Sequence, residues 1–473
     1  MLDTLSPEIL HHICRQFDGA LDVSRFRLTC KFFAEVGLRS LLPRITLVTL
    51  PKAYQHLSDV ANHPVLRHHV EEILLITNKL PLYRDMNDFA HHVPPPGMLD
   101  WPVNPTEPHA TAADHVAYER HQWPDGKLEK IWIYYKELCE QQENQEKSDG
   151  LAVVREVIAK LPKLRSVHIR SFTAEGGPTP FLWPGSEYSK LAVNFLGDMP
   201  NIFYPTASLL EGILSATLAA KAPLEELFVT DLDAKFFQCE DSSFDEIRLS
   251  LEQLRRISLQ LEVEDDEDSW DDCRHILGKE KGGLQQILHS STQLVSIEII
   301  TPDYAIGEYI GSFPILFNDM VWSRLSRLHL ANFVTTSEAL VTFLEAHANS
   351  LKVLQMRNFK LSGQHVHNWH QFFVSVASFL RLEDANFTGH FTADHFDVAG
   401  NDYIDMGDDI KEVPMTVGDV LRALLCRSYS EAERDMYNET FDDLLKCEKK
   451  RLAEGFRMEV PVRHPQFLRD MQP

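Results

Sequence analysis

The sequence predicts an α/β repeat protein. Strand–helix units stack into an irregular curved solenoid, entered through a short helical segment at residues 1–40 and closed by a helical cap at 401–473. Three observations predict it: an apolar template recurs at near-regular intervals, amphipathic segments precede several copies, and the first forty positions carry apolar residues at helical spacing.

The template is L-x-x-L-x-L-x-x-F/L with apolar substitutions. It fits Leu164, Val167, Ile169 and Phe172, then Leu224, Leu227, Val229 and Leu232. Further copies are Leu254, Ile257, Leu259; Leu294, Ile297, Ile299; Leu325, Leu328, Leu330, Phe333; and Leu351, Leu354, Met356, Phe359. A weaker copy has Phe379, Leu382 and Phe387, and an early one has Val70, Ile73 and Leu75. From Leu164 onward the starts lie 60, 30, 40, 31, 26 and 28 residues apart. Self-similarity at this period is a leucine-rich-repeat signature, so residues 161–400 read as a leucine-rich-repeat-like solenoid. Helical spacing fills 150–161, 206–220, 336–348 (with Thr335 and Glu338 in capping-box spacing) and 365–378. Residues 41–160 read as a linking region with the early strand, a proline-rich loop at 94–108, and a long helix around 111–146 broken near Pro124. The acidic run at 262–272 reads as a mobile loop and 389–412 as a second insertion. A helical pattern at Val417–Leu425 and Glu431–Arg451 supplies the cap. A non-repeat α/β domain is the competing reading.

At the N-terminus, Ser6 suits an N-cap and Pro7 the first helical position. Ile9, Leu10, Ile13 and Phe17 make one stripe, and Gly19 ends the helix. Asp22 suits the next N-cap. Val23, Phe26, Cys30 and Phe33 then share a face, while Leu28 and Phe32 point elsewhere. A helix apolar on two sides packs on two sides: one against local core, the other against a partner or the rest of the chain.

These residues resemble an F-box. L-x-P-E-I-L at Leu5–Leu10, then Ile13, then the run from Leu21 to Phe33 follow the family pattern through both halves, with Ser6 where the family has proline. The resemblance implies a three-helix F-box at 1–40 that docks on the Skp adaptor of a cullin-RING ubiquitin ligase. The adaptor-binding residues it implies are Leu5, Pro7, Glu8, Ile9, Leu10, Ile13, Leu21, Phe26, Leu28, Cys30 and Phe33. It further implies that the remainder of the chain selects the protein substrate.

Composition narrows the class. The 44% hydrophobic and 25% charged content is that of a folded protein. No apolar run reaches a membrane span, and no basic segment followed by an apolar stretch opens the chain, so no membrane role is expected. Seven cysteines without C-x-x-C spacing fit free thiols in the cytoplasm or nucleus. A formal charge of −24 disfavours nucleic acid as a partner.

Catalytic motifs are lacking: there is no G-x-S-x-G, P-loop, G-x-G-x-x-G or H-E-x-x-H. Asp231 and Asp233 read as a strand-end turn, and the His365, His367, His370 group lacks the further ligand and ordered surroundings that a metal would need. No enzyme activity, cofactor or metal is expected. One constellation suggests binding. If the template leucines point inward, the alternating positions line the opposite face. These carry His168, Arg170, Arg256, Arg327, His329 and Arg357, a relatively basic stripe on an acidic chain. Arginine pairs bidentately with carboxylate and phosphate, so the stripe suits an acidic or phosphorylated protein segment. The plainer account is that arginine stems cover the sheet. The expected function is substrate recognition in a Skp-cullin-F-box ligase; the alternative is a repeat scaffold with no ligase link.

Overall fold

A computed structural model of the chain describes residues 6–14, 16–17, 20–77, 80, 82–92, 127–147, 150–170, 206–238, 242–263, 267–305, 308–362, 369–393, 402–405 and 425. The chain divides into two compact units, residues 1–224 with 228–231, and residues 225–227 with 232–473.

In the first unit, α1 (Pro7–Cys14), α2 (Ala20–Arg27) and α3 (Lys31–Leu41) precede β1 (Arg44–Val48). There follow α4 (Pro51–Asn62), β2 (Glu72–Ile76), α5 (Met86–His92), α6 (Lys127–Lys147), α7 (Gly150–Ile158), β3 (Ser166–Arg170) and α8 (Thr206–Ala219). β1, β2 and β3 pair in parallel, with Arg44 opposite Glu72 and Glu72 opposite Ser166. Their apolar residues are buried: Ile45, Leu47, Ile73, Leu75, Val167 and Ile169 are all at or below 3% exposure. A second cluster joins α5 to α6, where Phe89 lies 4.8 Å from Tyr135 and 5.4 Å from Trp132.

β4 (Glu226–Asp233) is divided between the units. The second unit continues with α9 (Ser242–Ser250), β5 (Arg256–Glu262), α10 (Glu267–Leu277), α11 (Gly283–Ser290) and β6 (Ser296–Ile300). Short strands β7 (Asp303–Ala305), β8 (Glu308–Tyr309) and β9 (Gly311–Ser312) lead to α12 (Phe313–Phe317) and β10 (Arg327–Thr335). The chain goes on through α13 (Ser337–His347), β11 (Val353–Leu361), α14 (Trp369–Phe379), β12 (Asp384–Ala393) and β13 (Asp402–Asp405). β5, β6, β10, β11 and β12 pair in parallel, β9 flanks β10, and β13 is antiparallel to β12.

Two ladders fix this unit. Asn332 and Asn358 take left-handed φ values of 67° and 55°, a region that asparagine tolerates better than most residues. The Asn332 amide donates to the Thr301 carbonyl, and Asn358 Nδ2 donates to Asn332 Oδ1 at 2.8 Å. The next strand has Gly389 at φ 73°, where a Cβ would collide with the Asn358 side chain. Below this polar ladder Phe333, Phe359 and Phe391 stack at 5.9 and 6.0 Å, each fully buried.

The fold class differs from the expected solenoid with a three-helix F-box and a helical cap. The strands join one 11-stranded, almost wholly parallel sheet with helices, an α/β fold, in the order β1-β2-β3-β4-β5-β6-β10-β11-β12-β13 with β9 beside β10. This is the competing reading of the sequence. The template leucines demand only that a strand bury alternate residues beneath its crossover helix, and any parallel α/β sheet makes that demand. Strand lengths from 5 residues in β6 to 10 in β12 belong to no uniform unit. At the N-terminus no clear three-helix F-box stands out. α1 and α2 have 8 residues each, and among the described residues Leu10, Phe33 and Val36 form one small buried cluster. Of the expected cap, β13 is a strand, Leu425 is buried, and the remainder lies outside the described residues.

Local departures have local causes. The helix expected through residues 23–33 is two, because Cys30 is extended and caps α3, its Sγ accepting from Phe33 N–H at 3.5 Å. Thr336, not Thr335, caps α13 through Ala339 N–H at 3.1 Å. Much of the acidic run is helical, in α10, where Arg274 pairs with Asp271 at 3.1 Å. The 94–108 loop and the 111–126 part of the long helix lie outside the described residues.

Candidate functional site

The N-terminal segment sorts its apolar residues into two sets. Leu10 and Phe33 are buried, with Ile13, Phe26 and Phe32 packed partly against them. Phe26 stacks on Phe33 at 4.5 Å and nearly parallel planes. Gly37 permits this closeness: a Cβ there would lie 2.5 Å from the Arg27 stem, whose Nε donates to the Ala34 carbonyl at 2.9 Å. The second set faces solvent. Ile9 is 49% exposed and Leu28, in the turn between α2 and α3, is 86% exposed. Cys30 is exposed at its cap. Leu5 lies outside the described residues, and Pro7, Glu8 and Leu21 are placed by backbone alone, the first two in α1 and Leu21 in α2. Among the described residues, then, the family-like positions combine a small buried seam with two large exposed aliphatic groups.

The six sheet-face residues divide between the units. In the first, His168 and Arg170 lie on β3 and are joined by Arg44, which the template did not reach, and by Glu72, at an alternating position of the early Val70, Ile73, Leu75 copy. Arg44 Nε lies 2.5 Å from Glu72 Oε1, and His168 Nδ1 lies 3.5 Å from the same oxygen. His168 Nε2 is 3.0 Å from Ser166 Oγ, and the Phe228 ring covers the imidazole at 4.2 Å. Burial, then the charges of Arg44 and Arg170, hold the His168 pKa down at about 4. Glu72 does not reverse this, because Arg44 already offsets its charge. Arg170 is lowered in turn, by burial and by Arg44. Arg44 and Glu72 sit at alternating positions of short apolar strands, and that alternation was the signal available for them.

In the second unit, register aligns Ser258, Glu298, His329, Gln355 and Asn386 across β5, β6, β10, β11 and β12. Ser258 Oγ donates to Glu298 Oε2 at 2.7 Å, and His329 Nδ1 lies 2.6 Å from Glu298 Oε1. The His329 contact lowers the Glu298 pKa against its burial, helped by Ser258. A carboxylate so stabilised is a weak base, so the row does not activate the serine as a nucleophile. Arg256 pairs with Glu226 at 3.2 Å. Arg327 and Arg357 are exposed and have no ion-pair partner among the described residues. The Arg357 stem lies near Gly389, so it does cover sheet, while its charged end stays in solvent.

The face is open in a way parallel sheets rarely are. β5 alternates exposed or half-buried Arg256, Ser258, Gln260 with buried Ile257, Leu259, Leu261. Asp233 caps the turn after β4 by accepting from Lys235 N–H at 2.8 Å, a structural role. His365 and His367 lie outside the described residues, and no cluster with metal-ligand composition occurs among the described ones. No described helix is long and apolar enough to cross a membrane. No family model matches the chain, and no curated protein matches it.

Proposed function

We propose that the chain is the substrate-recognition subunit of a Skp-cullin-F-box ubiquitin ligase, bridging the adaptor and a protein substrate. The observation that carries the proposal is the family-like run at residues 5–33 with two of its aliphatic side chains, Ile9 and Leu28, exposed rather than packed. Exposed aliphatic groups beside a buried seam suit a protein partner, because leaving them in water forfeits their burial energy. The mechanism is proximity: one segment holds the adaptor, the other holds the substrate, and the local concentration of substrate lysines near the ubiquitin donor rises.

The substrate surface is the open sheet face of the second unit, where Arg327 and Arg357 are exposed, without an ion-pair partner among the described residues, beside the Ser258–Glu298–His329 row. That chemistry fits an acidic protein segment. Co-purification tests the ligase reading. The intact chain should capture a Skp-type adaptor, and a chain lacking residues 1–40 should lose it while the sheet remains folded by circular dichroism. An adaptor that never accompanies the intact chain removes the proposal.

A further inference from the structure

The Arg44–Glu72–His168–Arg170 cluster is more cationic than its own pairing requires. Counting charges, Arg44 and Arg170 supply two positive and Glu72 one negative, which leaves one uncompensated. Glu72 Oε1 lies 2.5 Å from Arg44 Nε as an ion pair, and that buried oxygen accepts no hydrogen bond among the described residues. Arg170 feels Arg44 as a repulsion and Glu72 as an attraction, yet its Nε is buried and has no hydrogen-bond partner among the described residues. Buried donors are almost always satisfied, and one left open beside a second cation marks a place where an acceptor belongs.

The surroundings restrict what that acceptor is. Parallel pairing sets Arg44, Glu72 and Ser166 in one row, with His168 and Arg170 at the next two alternate positions of β3. Two guanidiniums, an imidazole nitrogen and a hydroxyl thus share one side of three strands. Phe228 closes one flank of the imidazole. Guanidinium forks match a tetrahedral oxyanion through paired N–H donors. Glu72 repels such a ligand, which favours one carrying enough charge and enough oxygens to engage both arginines. A single carboxylate meets that condition less well than phosphate.

We propose that Arg44, Arg170 and His168 form a binding site for a phosphate-class oxyanion, with Glu72 holding Arg44 in place. The site stands apart from the ligase reading and does not rest on it. His168 is neutral at neutral pH, so an incoming dianion has a nearby base able to take up a proton and become a further donor.

The test is isothermal titration of the full chain with inorganic phosphate at fixed ionic strength, with chloride as the reference and O-phosphoserine as a second arm. Phosphate should bind and chloride should not. Arg170→Gln should weaken binding roughly 10- to 100-fold, the loss of one charge-assisted contact. Arg170→Lys, which keeps charge without the fork, should fall between. Arg274→Gln, an exposed cation paired with Asp271 in the other unit, should leave binding unchanged. Comparable binding of phosphate and phosphoserine assigns the site to the phosphoryl group itself, whereas phosphate alone assigns it to the free ion. Should Arg170→Gln fail to fold, the imidazole NMR signals of His168 in the natural chain decide: they should shift on phosphate addition, and a His168→Gln spectrum identifies them. Absence of phosphate binding, equal binding by Arg170→Gln, or an unmoved His168 signal would overturn the proposal.

Discussion

Asn358→Ala is the perturbation whose cost follows most directly from the geometry. Asn358 Nδ2 donates to Asn332 Oδ1 at 2.8 Å, and both residues are buried at 6–7% exposure. Removing the amide leaves the Asn332 oxygen short of a donor, worth about 1–3 kcal/mol for a buried group. Alanine must also hold φ at 55°, where asparagine is tolerated and alanine is strained by about 1 kcal/mol more. The sum is about 2–4 kcal/mol, a large share of a typical total of about 5–15 kcal/mol. Asn358→Gly separates the two parts. It loses the same hydrogen bond but relieves the backbone, so it should be more stable than Asn358→Ala by about 1 kcal/mol. Urea unfolding followed by far-ultraviolet circular dichroism measures both. The reasoning is refuted if Asn358→Ala loses under about 0.5 kcal/mol, or if the glycine variant is the weaker of the two.

Three further outcomes are expected. Phe359→Ala, which opens a cavity between Phe333 and Phe391, should destabilise by about 3–5 kcal/mol in the same urea assay, and a loss near 1 kcal/mol would mean that the stack relaxes around the gap. His347 is buried and held neutral, its Nε2 accepting from Trp322 N–H at 3.0 Å and its Nδ1–H donating to the Phe343 carbonyl at 2.8 Å. Because its folded pKa is depressed, its contribution is whole above the unfolded value of about 6.5 and is lost as pH falls below it. His168 follows the same sign down to about 4, at most about 3 kcal/mol. Denaturant midpoints of the natural chain should therefore drop more steeply between pH 7 and 5 than those of His347→Gln, and parallel curves would sink the assignment. Paired charge reversal, Arg327→Glu with Arg357→Glu, should abolish capture of an acidic substrate segment in a pulldown without moving the thermal midpoint by more than a few degrees, because both side chains are exposed; unchanged capture would place substrate binding elsewhere.

The sequence carried some of this and not the rest, for physical reasons. Burial was legible. Leu164, Leu254, Leu294, Leu325 and Leu351 each precede a strand and are 0–2% exposed, because alternation within a strand is a local property. Fold class was not, because an apolar template repeated at intervals does not tell a solenoid from a larger parallel sheet. β1 was missed because no template leucine introduces Arg44; Glu72 lies on β2, within the early copy of Val70, Ile73 and Leu75, but its pairing with Arg44 depends on the strand that was missed. The Ser258–Glu298–His329 row depends on register between strands 31–40 residues apart, information that no single segment holds. The ladder of Asn332, Asn358 and Gly389 was present in the sequence at 26–31-residue spacing, but its left-handed backbone becomes visible only in the folded chain.

The central claim is that residues 5–33 form a docking surface for a ligase adaptor, and affinity for that adaptor tests it most directly. A purified Skp-type adaptor titrated into the full chain should bind, and Leu28→Glu should weaken it at least about tenfold, since an 86% exposed side chain can be replaced without harm to the fold while a charge is buried in the interface. Binding that is absent in the natural chain, or unchanged in Leu28→Glu and Ile9→Glu together, would contradict the claim.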